Sequence, residues 1–377
     1  MFRITGSSFA VGLIGIAELA PLIVTALVGG VLADRRDLRT LLIATDVGLV
    51  VVTALYTVNS LLPHPKIWLL YVLAAASSGL LGLNHPAFTA LVPRIVAREL
   101  VGSAMAVGAL PVTLAMVAGP AIAGALIAGV GLSATYAIDT LTFAASLIAY
   151  LRLARHPPVG DQAASSTPWS ASIRDGWRYL RSRPEIEGTY IIDFIAMVFG
   201  MPIALFPALA LERFDGDATT LGLLFAAPAV GAFVTTLLSG RAGRVQRSGR
   251  AVVISVLVWG AAIVGFGFSW SLGPALVALA IAGGADMMSG VFRMRIWATI
   301  PDDVRGRLAG FEWLNVNSGP ALGDLEAGAV SSLTNPTFAI VSGGLLTIVG
   351  AVACAVLLPA FTRYRSGAEP STDLQGS

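Results

Sequence analysis

Charge is scarce in this sequence. Asp, Glu, Lys and Arg make up only 12% of its 377 residues, roughly half the share of a soluble globular chain. So few charges would not cover the two or three soluble domains expected at this length. With 56% hydrophobic residues and a mean hydropathy of +0.80, the surface must face lipid. Cysteine is nearly absent: Cys354 stands alone, which excludes a disulfide framework and a cysteine-based metal cage. The three histidines, His64, His85 and His156, are scattered and argue against a histidine-rich ion site. The one lysine, Lys66, follows Pro65. No Gly-Lys-Ser/Thr phosphate loop exists, so ATP hydrolysis through that loop is excluded. A net charge of +2 gives no basic excess that would point to nucleic acid. No cofactor and no metal are expected.

What is present is apolar and helical. A transmembrane helix needs about 20 predominantly apolar residues, and eleven such spans are expected: 9–33, 40–62, 67–92, 102–129, 131–154, 188–212, 219–239, 251–269, 273–299, 308–333 and 336–361. Breaks fall at charge and turn clusters, among them Asp34-Arg-Arg-Asp37, Pro63-His-Pro65 and Pro301-Asp-Asp303. Segments of alternating polarity are missing, which argues against a β-barrel. Nineteen arginines border one set of connections, against Lys66 and Arg213 on the other. The arginine-rich set is therefore expected in the cytoplasm, with the C-terminus. An odd span count then puts residues 1–8 outside, where they resemble an external loop. A first helix lost by truncation or by a misplaced start codon is the expectation.

The spans divide into a helical half over 1–154, a linker over 155–187, a second half over 188–362 and a tail over 363–377. Residues 157–170 are rich in Pro, Ser and Ala and read as linker. Residues 172–183 place Ile173, Trp177 and Leu180 on one helical face and arginines around much of the rest, as in a helix lying along the inner membrane surface. The halves echo one another. Gly119-Pro-Ala-Ile-Ala-Gly124 returns as Gly319-Pro-Ala-Leu-Gly-Asp324, and Pro93, Val96, Leu100 and Gly102 return as Pro301, Val304, Leu308 and Gly310. Repeated helical halves around a central site are a common transporter plan.

Gly30-Val-Leu-Ala-Asp34-Arg35-Arg36-Asp37-Leu38-Arg39 resembles the cytoplasmic loop signature of the major facilitator superfamily. Gly30, Asp34, Arg35 and Arg39 match it, whereas Asp37 and Leu38 depart from it. The small residue lets helices approach, while carboxylate and guanidinium form a latch that a conformational change can break. In the superfamily this loop joins helices two and three, which agrees with a missing first helix. Gly119-Pro120 with Gly124 resembles the helix motif of its antiporter branch. The segments 177–184, 301–307 and 310–319 resemble the exporter branch that contains the enterobactin exporter, and also macrolide and tetracycline exporters. The resemblance implies an all-α polytopic fold, a two-half helical bundle working by alternating access.

An ionisable group inside a span costs about 3 kcal/mol or more and needs a reason. Asp46 and Asp193, near cytoplasmic ends, are expected to pair with loop arginines. The deeper candidates for proton coupling or substrate binding are Glu18, Asp139, Asp286, Arg293, Glu312, Asn315 and Glu326. Asp286 and Arg293, seven positions apart, share a helical face, and the resemblance places their helix along the central cavity. There Arg293 is expected to hold Asp286 ionised until the two separate. Glu312, Asn315, Gly319 and Glu326 form one stripe too polar for lipid, with Asp324 rotated off it.

These readings imply a monomeric secondary exporter of an amphipathic small molecule, a siderophore or a drug, driven by the proton gradient. Its partners would be that substrate and the bilayer. The rival is a non-transporting sensor or a degenerate transporter fragment. An enzyme is least favoured, because no nucleophile–base pair stands out.

Overall fold

The computed structural model describes residues 1–97, 122–154, 169–238 and 245–365, together with Leu100, Val107, Ala115, Gly119 and Gly240. Among the described residues there are helices and no strands. The long helices are α1 (Ser8–Arg35), α2 (Leu38–Leu61), α3 (Ile67–Ile95), α4 (Leu132–Arg152), α5 (Trp169–Ser182), α6 (Pro184–Phe199), α7 (Ala218–Leu238), α8 (Ser248–Gly267), α9 (Leu272–Trp297), α10 (Asp302–Leu333) and α11 (Pro336–Leu357). Residues 122–130 are also helical up to Gly131. Among the described residues nine segments are long and apolar enough to cross a membrane. Of the two other expected spans, 102–129 lies largely outside the described residues. The other, α10, is helical but carries Glu312, Asp324 and Glu326.

Local chemistry sets the helix boundaries. Ser7 caps α1 by accepting the Ala10 N–H at 3.3 Å, and Asp37 caps α2 by accepting that of Thr40 at 3.2 Å. Asp217 caps α7 through the Thr219 and Thr220 amides. Those amides, Thr220's first, hold its carboxyl below the usual carboxylate range. The α2–α3 turn closes on Asn59, whose side chain accepts the Lys66 N–H at 2.9 Å.

Two compact units emerge. The first comprises Met1–Ser166, Ile203–Ala226 and Pro320–Pro336. In it α1 lies against α3 so closely that a Cβ at Gly82 would meet the Leu22 carbonyl at 2.9 Å. Ala33, Leu38, Leu42, Ala87 and Leu91 form its core near the signature loop, with Tyr150 and Leu153 packed on it. The second unit comprises Thr167–Pro202, Ala227–Gly319 and Thr337–Ser377. Here α7 and α9 touch backbone to backbone, because side chains at Gly231 and Gly283 would collide with the Ala280 and Pro228 carbonyls.

Candidate functional site

The densest set of membrane charges lies in the second unit, on α6, α9 and α10. Asp193 is buried one turn beyond Tyr190. It forms an ion pair with Arg293 of α9, itself only 8% exposed. Asn315 of α10 donates its side-chain amide to the same carboxylate oxygen, Oδ2, at 2.8 Å. A salt bridge this deep holds only if hydrogen bonds satisfy what remains of both ions, and Asn315 contributes one of them.

This arrangement corrects two expectations. Asp193 pairs with an arginine inside a span rather than in a loop. Arg293 makes its contact ion pair with Asp193, not with Asp286. Asp286 and Glu312 still interact electrostatically with both members of the pair. The Nε atom of Arg293, Glu312 Oε2 and Ser289 Oγ have no hydrogen-bond partner among the described residues. Three carboxylates thus act on one guanidinium.

An aromatic brace fixes the three helices beside this cluster. Tyr190 donates its hydroxyl to the Leu308 carbonyl at 3.1 Å and stacks on Trp297 with ring centres 5.1 Å apart. Trp297 donates to the Thr189 hydroxyl at 2.9 Å. Sequence reading missed Tyr190 and Asp193 as site residues. The available signal was their spacing of three, which puts a phenol and a carboxylate on one face of an apolar helix.

The first unit holds the remaining candidates. Glu18 of α1 interacts electrostatically with Tyr56 of α2 and with Asp324 of α10. Tyr56 stacks on Tyr136 of α4 at 5.1 Å, nearly parallel. Asp139 is exposed one turn beyond Tyr136. Glu326 is half-buried and, 14 positions from Glu312, sits roughly 21 Å along the helix. Glu18, Asp139 and Glu326 belong to the first unit, and Arg293 to the second.

Of the signature loop, Arg39 is seen at work. Its guanidinium donates to the Leu151 carbonyl at 2.8 Å and the Tyr150 carbonyl at 3.4 Å, capping the C-terminal end of α4 where carbonyls lack helical partners. Asp37, a departure from the superfamily pattern, is the N-cap of α2. The surroundings of Gly30 and the side chains of Asp34 and Arg35 lie outside what is described, as does Pro120. Gly124 is buried, and a Cβ there would stand 2.7 Å from the Gly222 Cα. Among the described residues nothing stands within 4 Å of a Cβ built at Gly119.

The model of a family described as transmembrane secretion effector matches residues 1–373. The chain belongs to that family. This family member of the major facilitator superfamily is 27% identical over 365 residues to the enterobactin exporter EntS of Escherichia coli O1:K1 / APEC, covering 96% of this chain and 86% of the relative. The enterobactin exporter EntS of Citrobacter koseri is 29% identical over 366 residues, with the same coverage. Two solved structures share the fold. A POT family transporter in complex with 5-aminolevulinic acid gives a TM-score of 0.72 at 13% identity, covering 94% of this chain and 88% of that one. The nucleoside transporter NupG gives 0.72 at 12% identity, covering 96% and 93%. This family member is a multi-pass membrane transporter with a small-molecule substrate.

Proposed function

We propose that the chain is a proton-coupled exporter of an amphipathic small molecule, working by alternating access. The observation that supports this reading is the gathering of Asp193, Asp286 and Glu312 around the Arg293 guanidinium. One cation cannot offset three carboxylates inside the membrane spans, of which Asp193 is fully buried. In a poorly polarisable interior, an ionised carboxylate without a partner is costly enough that it takes up a proton instead. The cluster therefore holds protons whose number depends on how the pair is arranged, and a change of facing state that rearranges it moves protons.

Cargo charge sets the sign of the exchange. A cationic amphiphile lodged beside Asp286 and Glu312 expels their protons, which is the exchange antiport requires. An anionic cargo that takes Arg293 from Asp193 would leave that carboxylate to bind a proton alongside it, a co-transport that an inward proton gradient opposes. The proton-driven reading therefore takes the cationic class, and the enterobactin exporters among the relatives are the reason a siderophore-like anion is tested beside it. The cytoplasm would be the loading side, with the arginine-rich loops there.

Purified full-length protein in proteoliposomes tests the reading. A catecholate anion and a lipophilic dye cation are offered under an imposed pH gradient, and internal pH is followed. Gradient-dependent accumulation of either cargo, with proton movement in step, is expected. Accumulation of neither, in protein that reconstitutes as a folded monomer, would favour the non-transporting sensor.

A further inference from the structure

Residues 188–212 read as one span, yet the helix stops within them. After Phe199 comes Gly200-Met-Pro202, and the chain restarts as a 3-10 turn, Ile203–Leu205, followed by Phe206–Ala208 and the π turn Leu209–Arg213. A helix that restarts within an apolar slab exposes main-chain N–H groups with no helical partner. One of them is satisfied from outside. Asp324 of α10 accepts the Ala204 N–H on Oδ1 at 2.8 Å.

The same stretch of α10 bears on the start of α1. A side chain at Gly12 would collide with the Asp324 carbonyl, and one at Gly15 would stand 3.2 Å from the Ala321 carbonyl. A side chain at Gly328 would stand 2.8 Å from the Ser8 carbonyl. Residues 8–15 form the end of α1 away from Asp34-Arg-Arg36. Three segments therefore converge on Asp324 at the end remote from the signature loop. Glu18 of α1 is the charged group that acts on it.

We propose that Asp324 is the latch of a gate at this end. Its carboxylate ties the restarted helix to α10, and α10 in turn provides the backbone surface on which α1 closes. Opening separates residues 8–15 from 321–328 and breaks the Asp324–Ala204 bond. Asp324 is a positioning residue, and its role is independent of cargo and of proton coupling at Arg293.

Ala204 is 2% exposed, which makes it a reporter. In full-length protein with Cys354→Ser and Ala204→Cys, an impermeant maleimide is added on the side of residues 8–15. Labelling should be slow with Asp324 present and about tenfold faster with Asp324→Ala, the scale of one hydrogen bond. Asp324→Asn keeps an acceptor oxygen and should restore slow labelling, whereas Asp324→Leu fills the space without an acceptor and should label as fast as the alanine variant, which a purely steric role would not predict. Gly12→Val should speed labelling with Asp324 intact. If Asp324→Ala fails to accumulate, the Asn and Gly12 variants decide. Unchanged labelling in folded Asp324→Ala or Gly12→Val overturns the proposal. So does an Asn variant that labels as fast as the alanine variant. Loss of proton-driven transport with these rates intact would count against the proposed function alone.

Discussion

Asp193 of α6 is ion-paired with Arg293 of α9, one hundred positions further along the chain. The pair is almost fully enclosed, so its two members are worth more together than apart. Removing one leaves the other as a buried charge, at a cost of about 3–5 kcal/mol, while replacing both with apolar groups is often neutral. Arg293→Met should therefore lower the thermal unfolding midpoint sharply. The double variant Asp193→Leu/Arg293→Met should recover most of it. Transport should be lost in both. A double variant that transports at the parent rate would make the pair purely structural.

The spans were legible because each is an unbroken apolar run, and the ends agree to within a few residues for α1, α2, α7, α8 and α9. Sites were less legible. Helical periodicity relates residues on one helix, so it paired Arg293 with Asp286 two turns away. It carries no information about which face of α6 turns toward α9, and that decides the contact with Asp193. The break at 200–202 was missed for a related reason. Hydropathy averages over the run and stays high, while Gly200 and Pro202, the residues that stop the helix, are common in membrane spans. Asp324 then looked like a residue off the polar stripe, because its partner is a main-chain N–H that only the broken helix exposes. Asp37 looked like a defect in the signature, although an aspartate two positions before Arg39 suits a helix N-cap.

The signature loop gives a second prediction. Asp37→Ala removes the α2 cap and should cost about 1 kcal/mol, seen as a modest drop in unfolding midpoint with transport retained. Asp34→Asn should do the reverse, impairing transport at normal abundance and membrane insertion. Loss of the protein from the membrane in Asp34→Asn would assign that residue to folding alone.

Orientation is testable with two single cysteines in a Cys354→Ser background. Basic residues concentrate beside the connections on one side, so residues 155–187 are expected in the cytoplasm. Asp215 is exposed at the end of the irregular segment, on the opposite side. In intact cells Asp215→Cys should react with an impermeant reagent and Ser165→Cys should not. Labelling at Ser165 with none at Asp215 reverses the orientation and, with it, the side from which cargo is loaded.

Coupling is the prediction that bears most directly on mechanism. An exchanger needs at least one carboxylate whose protonation differs between its two facing states. Asp193 is unsuited to that task while Arg293 and Asn315 both stabilise its ionised form. Asp286 interacts with Arg293 without a contact ion pair, so its charge responds to any movement of the guanidinium. Asp286→Asn mimics a permanently protonated side chain of nearly the same volume. It should abolish transport against a gradient while leaving downhill cargo exchange measurable, because exchange needs the facing states but no change in proton number. Arg293→Ala should weaken an anionic cargo more than a cationic one. Measured in the same vesicles, the ratio of uphill to downhill flux isolates coupling from folding and from binding. Full uphill transport by Asp286→Asn would remove that residue from the coupling role and pass it to Glu312, the other carboxylate beside Arg293, or to Glu18 and Glu326 in the first unit.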